Sequence, residues 1–279
     1  MPLPSTNLTL HLDASDTDNL FTTWVNGGAH TGTPGDGDLV QVWRRETDGS
    51  VSPCNAAYKN SNAPAWRTTT PLMALACLDF DGTDDGMVLV NNVGVTDYLA
   101  SNTFFSTTAR AIVIAFRAEA ITTTNSTAAT ATSNHGLFSG DSYWGITLRN
   151  DGGQRKAQFA AYDTGWKMAE VNVSVDTDHV LCARHDGSNL YISVDGGAET
   201  STACSTIGAD TGQVFIGRSI DGICLNGRVG EVAIYNASAY PTDAIAYFRE
   251  KWQGVSSGVV GGLNGGKLAG RSILLGRLT

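Results

Sequence analysis

Residues 179–196 read His179-Val180-Leu181-Cys182-Ala183-Arg184-His185-Asp186-Gly187-Ser188-Asn189-Leu190-Tyr191-Ile192-Ser193-Val194-Asp195-Gly196, and their pattern decides the fold. Two short apolar runs, 180–184 and 190–194, flank Asp186-Gly187, and a second Asp-Gly pair closes the unit. Asp-Gly supplies the positive φ that a tight reversal needs, so apolar runs on either side read as a hairpin. Outward from this hairpin the same grammar repeats. Strand-like runs occupy 8–12, 75–80, 86–90, 111–116, 143–148, 157–162, 214–217 and 229–235, with Asn226-Gly227 as a further turn signal, while 22–71 reads as Gly-, Pro- and Asn-rich loops interrupted by the short apolar 39–43. Many short strands and almost no helix predict an all-β sandwich or jelly roll.

One helix is predicted. After Tyr240-Pro241, Thr242 is placed to cap a segment reaching Trp252, with Ile245, Phe248 and Trp252 on one face for packing on the sandwich. Gly254 is the stop. The chain thus divides into a β-sandwich over 1–253 and a Gly-rich, extended tail over 254–279.

Four segments together resemble the LamG/concanavalin A-like lectin superfamily, in the branch common in phage and bacterial surface proteins. The first is Leu78-Asp79-Phe80-Asp81-Gly82-Thr83-Asp84-Asp85, and the second is the hairpin quoted above. The third is Val214-Phe215-Ile216-Gly217-Arg218, and the fourth is Asn226-Gly227-Arg228-Val229-Gly230-Glu231-Val232-Ala233-Ile234-Tyr235-Asn236. Leu12-Asp13-Ala14-Ser15-Asp16 is similar to the branch's opening. The resemblance covers residues 8–253. It implies a two-sheet antiparallel jelly-roll sandwich, but little about activity, because that fold hosts lectins, enzymes, receptors and virion proteins.

Composition narrows the partners. With 42% hydrophobic and 16% charged residues, the chain suits a globular core under a neutral, polar surface. A formal net charge of -9 argues against nucleic acid, which needs clustered Lys and Arg; only 18 are spread along the chain. No run approaches the ~20 apolar residues of a membrane helix. Met1-Pro2-Leu3-Pro4-Ser5 lacks the basic and apolar regions of a signal peptide. The expectation is a chain made in a host cytoplasm, without membrane insertion. Cys54, Cys77, Cys182, Cys204 and Cys224 form no C-x-x-C pair and read as buried free thiols.

Catalytic motifs are scarce. None of Glu46, Glu119, Glu170, Glu199, Glu231 and Glu250 begins the E-x-D-x-x-E strand of glycoside hydrolases that resemble this fold. Gly254-Val255-Ser256-Ser257-Gly258 matches a nucleophile motif without its strand–turn–helix context. The tail's Gly261 to Lys267 approaches a P-loop, but Leu268 replaces the required Ser or Thr. His11, His30, His135, His179 and His185 lack zinc-ligand spacing. Calcium is the better cofactor expectation: Asp79, Asp81, Asp84 and Asp85 offer hard oxygens, and the resemblance adds Glu231 on the last strand. For glycan contact the expected residues are Trp24, Trp43, Tyr58, Trp66, Tyr143, Trp144 and Trp166, whose flat rings can stack on sugars.

The tail carries Lys267, Arg271 and Arg277 with no acidic side chain, amid glycines. Alone it should be disordered, so strand addition to a neighbour or threading between subunits is expected to order it, the alternative being a tail folded back on its own sandwich. The contact residues are Leu263, Leu268, Arg271, Ile273, Leu274, Leu275, Arg277 and Leu278. These readings combine into an expected non-enzymatic virion structural protein: a capsid decoration, head-fibre or tail-associated subunit. It would be homo-oligomeric, docked to other virion proteins by its tail and displaying a lectin-like domain toward cell-surface glycans. The alternatives are a secreted, extracellular bacterial carbohydrate-binding module and a glycan-active hydrolase on the same fold.

Overall fold

The computed structural model describes residues 2–23, 31–44, 54–57, 62–68, 75–91, 109–122, 134–140, 143–208, 213–219 and 221–255. In chain order the first strands are β1 Leu8–Asp13, β2 Leu20–Phe21, β3 Val42–Arg44, β4 Cys54–Ala57, β5 Ala65–Arg67, β6 Cys77–Asp81, β7 Met87–Asn91 and β8 Arg110–Ala120. There follow β9 His135–Ser139, β10 Trp144–Asp151, β11 Gln154–Tyr162, β12 Trp166–Asn172 and β13 His179–His185. The last are β14 Asn189–Val194, β15 Thr200–Ala203, β16 Phe215–Ile216 and β17 Asn226–Tyr235, before helix α1, Thr242–Gln253.

These strands form two antiparallel sheets. The eight-stranded sheet runs β15-β14-β13-β8-β17-β6-β5, and β1 also pairs with β17. Residues Asn226 to Val229 of β17 bond β6, while Glu231 to Tyr235 bond β1, so two strands share one edge of β17 end to end. The nine-stranded sheet runs β12-β11-β10-β9-β16-β7-β4-β3-β2. The structure is an all-β sandwich with a C-terminal helix, as the strand pattern predicts.

Alternation explains the layering. In β8, Ile112, Ile114 and Phe116 point between the sheets, while Ala111, Val113 and Ala115 point under the helix. A strand covered on both faces needs no polar face, which is why 111–116 reads as an unbroken apolar run. β13 does the same, with Leu181 and Ala183 inward and Val180 and Cys182 toward the helix. The helix buries Ala244, Ile245, Phe248 and Trp252, and Ile245 and Phe248 contribute about 1.5–3 kcal/mol each. Its start differs from expectation: Pro241 occupies the cap position without a side-chain bond, and Thr242 is the first helical residue. Gly254 ends it as predicted, at φ 65° with its N–H donating to the Arg249 carbonyl.

Cys77, Cys182, Cys204 and Cys224 are free and buried. Among the described residues no helix is long and apolar enough to cross a membrane. The expected contact residues of the tail, from Leu263 to Leu278, lie outside the described residues.

Candidate functional site

The outward face of the nine-stranded sheet departs most from what a solvated sheet surface requires. On β10, Trp144, Ile146 and Leu148 enter the core, as do Ala157, Phe159 and Ala161 on β11 and Ala169 on β12. The intervening residues therefore face out. The strand registers set them in rows: Gly145, Ala160 and Met168, then Thr147, Gln158 and Glu170, then Arg149, Lys156 and Asn172. Beyond Gly145, the Tyr162 N–H donates to the Tyr143 carbonyl at 2.8 Å, and Tyr162 pairs with Trp166, adding an aromatic row. Rows lie two residues apart, so the four span about 20 Å.

The middle of this stripe is recessed. Thr147 is 0% and Gln158 1% exposed, whereas Tyr162 at the rim is 37% exposed. The Thr147 Oγ1, both terminal atoms of Gln158 and Nη1 of Arg149 are buried without a hydrogen-bond partner. Orphaned buried polar atoms cost about 1–3 kcal/mol each, so four on one face mark a place built for something else to pair with. Gly136, the β9 neighbour of Thr147, makes room for one wall. A Cβ there would lie 2.0 Å from the Arg218 carbonyl carbon, so backbone of Arg218 and Ser219 packs directly on the sheet. Ser139 Oγ donates to the Arg218 carbonyl at 2.8 Å and holds that wall.

At one end the rings of Tyr143 and Tyr162 lie 5.7 Å apart, and Trp166 meets Tyr162 edge-on at 5.8 Å. At the other end four charges interlock. Arg149 Nε and Nη2 both donate to Glu170 Oε1, at 2.7 and 2.6 Å. Lys156 Nζ donates to Asp151 Oδ2 at 2.7 Å and to Glu170 Oε2 at 3.3 Å. The bond from Lys156, reinforced by Arg149, holds the Asp151 carboxyl below its usual range.

Of the residues expected from sequence for glycan contact, Tyr143 and Trp166 join this site. Trp43 and Trp144 do not: both are buried in the core between the sheets, because their strand positions have inward parity. Trp66 is likewise buried, and its Nε1 donates to the Ala14 carbonyl at 3.0 Å. Trp24 and Tyr58 lie outside the described residues. Tyr162, Thr147, Gln158 and Arg149 were missed. Polar residues alternating with core residues look like ordinary solvent-facing positions, and recession does not show in a sequence.

The expected calcium ligands separate. Asp81, Asp84 and Asp85 bring carboxylate oxygens within 4.8 Å of one another. Asp79 instead pairs with Arg67 at 3.0 Å and Arg228 at 3.4 Å. Glu231 is fully buried beneath α1, with Lys251 Nζ 2.9 Å away. Three of the five expected carboxylates thus stay together and two are engaged elsewhere. Burial, aided by Asp81 and Asp84, pushes the Asp85 carboxyl up to about 6, where it can hold or release a proton near neutral pH. The trio sits beside the wall of the recessed stripe: a Cβ on Gly86 would lie 3.0 Å from the Arg218 Cβ.

No protein-family model matches the chain, and no curated protein does. Solved structures do. Domain 4 of AbnA, a GH43 extracellular arabinanase of Geobacillus stearothermophilus solved with arabinotriose, superposes with a TM-score of 0.53 at 13% identity. That match covers 87% of this chain and 98% of the domain. A sialidase of Trypanosoma rangeli, solved with a difluorinated ketononulosonic acid, gives a TM-score of 0.53 at 14% identity, covering 89% of this chain and 33% of the sialidase. The same sialidase with 2,3-difluorosialic acid as covalent intermediate gives 0.52 at 14%, again with 89% and 33% covered. The chain spans about a third of the sialidase's length. Likeness at this identity establishes the β-sandwich fold alone.

These neighbours correct the expectation of a non-enzymatic virion structural protein: they come from glycoside hydrolases bearing carbohydrate ligands, which favours the glycan-active alternative.

Proposed function

We propose that this protein is a glycan-active β-sandwich of the LamG/concanavalin A-like type, engaging a saccharide along the outward face of β10, β11 and β12. The observation that carries the reading is the set of four unpartnered, buried polar atoms on Thr147, Gln158 and Arg149, bordered by aromatic rings. Sugar hydroxyls both donate and accept, so a bound saccharide satisfies a mixed set of this kind, while ring faces stack on Tyr143, Tyr162 or Trp166. The arabinotriose held by the arabinanase domain supports a short oligosaccharide as the ligand.

Hydrolysis is the second element of the reading, favoured by Asp85. A carboxyl raised to about 6 with carboxylates within 4.8 Å provides a proton donor and a base, and retaining glycosidases hold such a pair about 5–5.5 Å apart. Calorimetric titration with arabinotriose and related oligosaccharides, combined with a reducing-end assay, tests both. Binding lost in Gln158→Ala, and cleavage lost but binding kept in Asp85→Asn, are the expected results. Gln158→Ala binding as tightly as the native protein removes the proposed site.

A further inference from the structure

We infer that the recessed stripe selects uncharged saccharides carrying adjacent hydroxyls and discriminates against acid sugars; this rests on the saccharide-binding reading above. Basic side chains at a sugar site ordinarily suggest an anionic ligand. Here the two cations, Arg149 and Lys156, are matched by two anions, Asp151 and Glu170, at 2.6 to 3.3 Å. The Arg149 fork is occupied, since Nε and Nη2 both point to Glu170 Oε1. A carboxylate binds arginine most strongly through two parallel N–H bonds, and only Nη1 is left to offer one.

The neighbouring atoms make the same choice. Gln158 presents an unpartnered amide N–H₂ and an unpartnered carbonyl oxygen beside the Thr147 hydroxyl, its cross-strand partner. A pair of hydroxyls can accept from the amide nitrogen and donate to the amide oxygen. An ionised carboxylate in that position only accepts, so it leaves the Gln158 oxygen facing another acceptor where burial makes the mismatch costly. The net charge of -9 opposes anions at longer range.

The test compares arabinotriose and galactotriose with trigalacturonic acid by calorimetry at low and high salt. The expected result is that a neutral trisaccharide binds at least about tenfold more tightly than the acid one, with little change between ~20 and ~500 mM NaCl. In Glu170→Gln, which frees the arginine fork and removes one anion, the gap narrows several-fold. Equal or tighter binding of trigalacturonic acid, or affinity that falls steeply with salt, overturns the selectivity while leaving saccharide binding intact. Failure of all three sugars to bind overturns the underlying reading as well.

Discussion

Trp252 on the helix and Glu231 on β17 are joined by a 2.6 Å hydrogen bond, the indole Nε1 donating to Oε2. The contact exists because residue 230 is glycine: a Cβ there would lie 2.4 Å from the indole ring. Glu231 is fully buried, and its other oxygen lies 2.5 Å from His11 Nε2. Lys251 completes the cluster, bonding Asp13 and Glu231 together. Those two acids hold the Lys251 ammonium well above the usual lysine range despite its burial. The helix is therefore fastened to the eight-stranded sheet by charge as well as by apolar packing.

Replacing Lys251 by Met tests that fastening. It leaves Glu231 and Asp13 buried with one cation fewer, and breaking a buried pair from one side costs about 3–5 kcal/mol. Urea unfolding at pH 7 should show a loss of that size. An unchanged midpoint means that apolar packing alone holds the helix.

Asp85 sets a pH dependence of the less common sign. Burial raises its folded value to about 6 from 3.8. The folded state thus binds the proton more tightly, and the stability it contributes is full below pH 3.8 and lost as pH rises through about 6. The gap is at most about 3 kcal/mol, and screening at this turn reduces it to about 1 kcal/mol. Asp85→Asn should melt higher than the native protein at pH 7.5 and match it near pH 4. A variant less stable at pH 7.5 contradicts this sign.

The cysteines should be silent. Burial pushes the Cys77 thiol up to about 12 and those of Cys204 and Cys224 up to about 11, and it raises Cys182 further. In a Cys54→Ser background, a thiol reagent at pH 8 should label fewer than one site per folded chain and all four after denaturation. Rapid labelling of the folded protein contradicts the described packing.

At the rim, Tyr162→Ala and Trp166→Ala remove rings that stand outside the core. Each should weaken saccharide binding about tenfold or less while changing stability by under ~1 kcal/mol. Calorimetry beside thermal melting separates the two effects. Equal affinity in both variants removes the aromatic rim from the account.

The sheet framework was legible because β8 carries an unbroken apolar run, and β13, β14 and β17 carry mostly apolar runs beside Asp-Gly or Asn-Gly turns. The strands Cys54–Ala57, Ala65–Arg67, His135–Ser139, Trp166–Asn172 and Thr200–Ala203 were missed. Each is short or mixed in polarity, so neither a clean alternation nor a sustained apolar run marks it. The site was legible only at its edge. Tyr143 and Trp166 stand out as aromatic residues, but Thr147 and Gln158 differ from surface residues only in their recession. Trp43, Trp66 and Trp144 show the converse error, since chemistry suited to stacking on sugar was placed by strand parity into the core.

The most direct test is to titrate the isotopically labelled protein with arabinotriose and follow its backbone amide resonances. Shifts concentrated at Thr147, Gln158, Ala160, Tyr162 and Trp166 are predicted, with the eight-stranded sheet unaffected. Saturable shifts confined to the helix side, or none on β10, β11 and β12 at millimolar sugar, would contradict a binding face on the nine-stranded sheet.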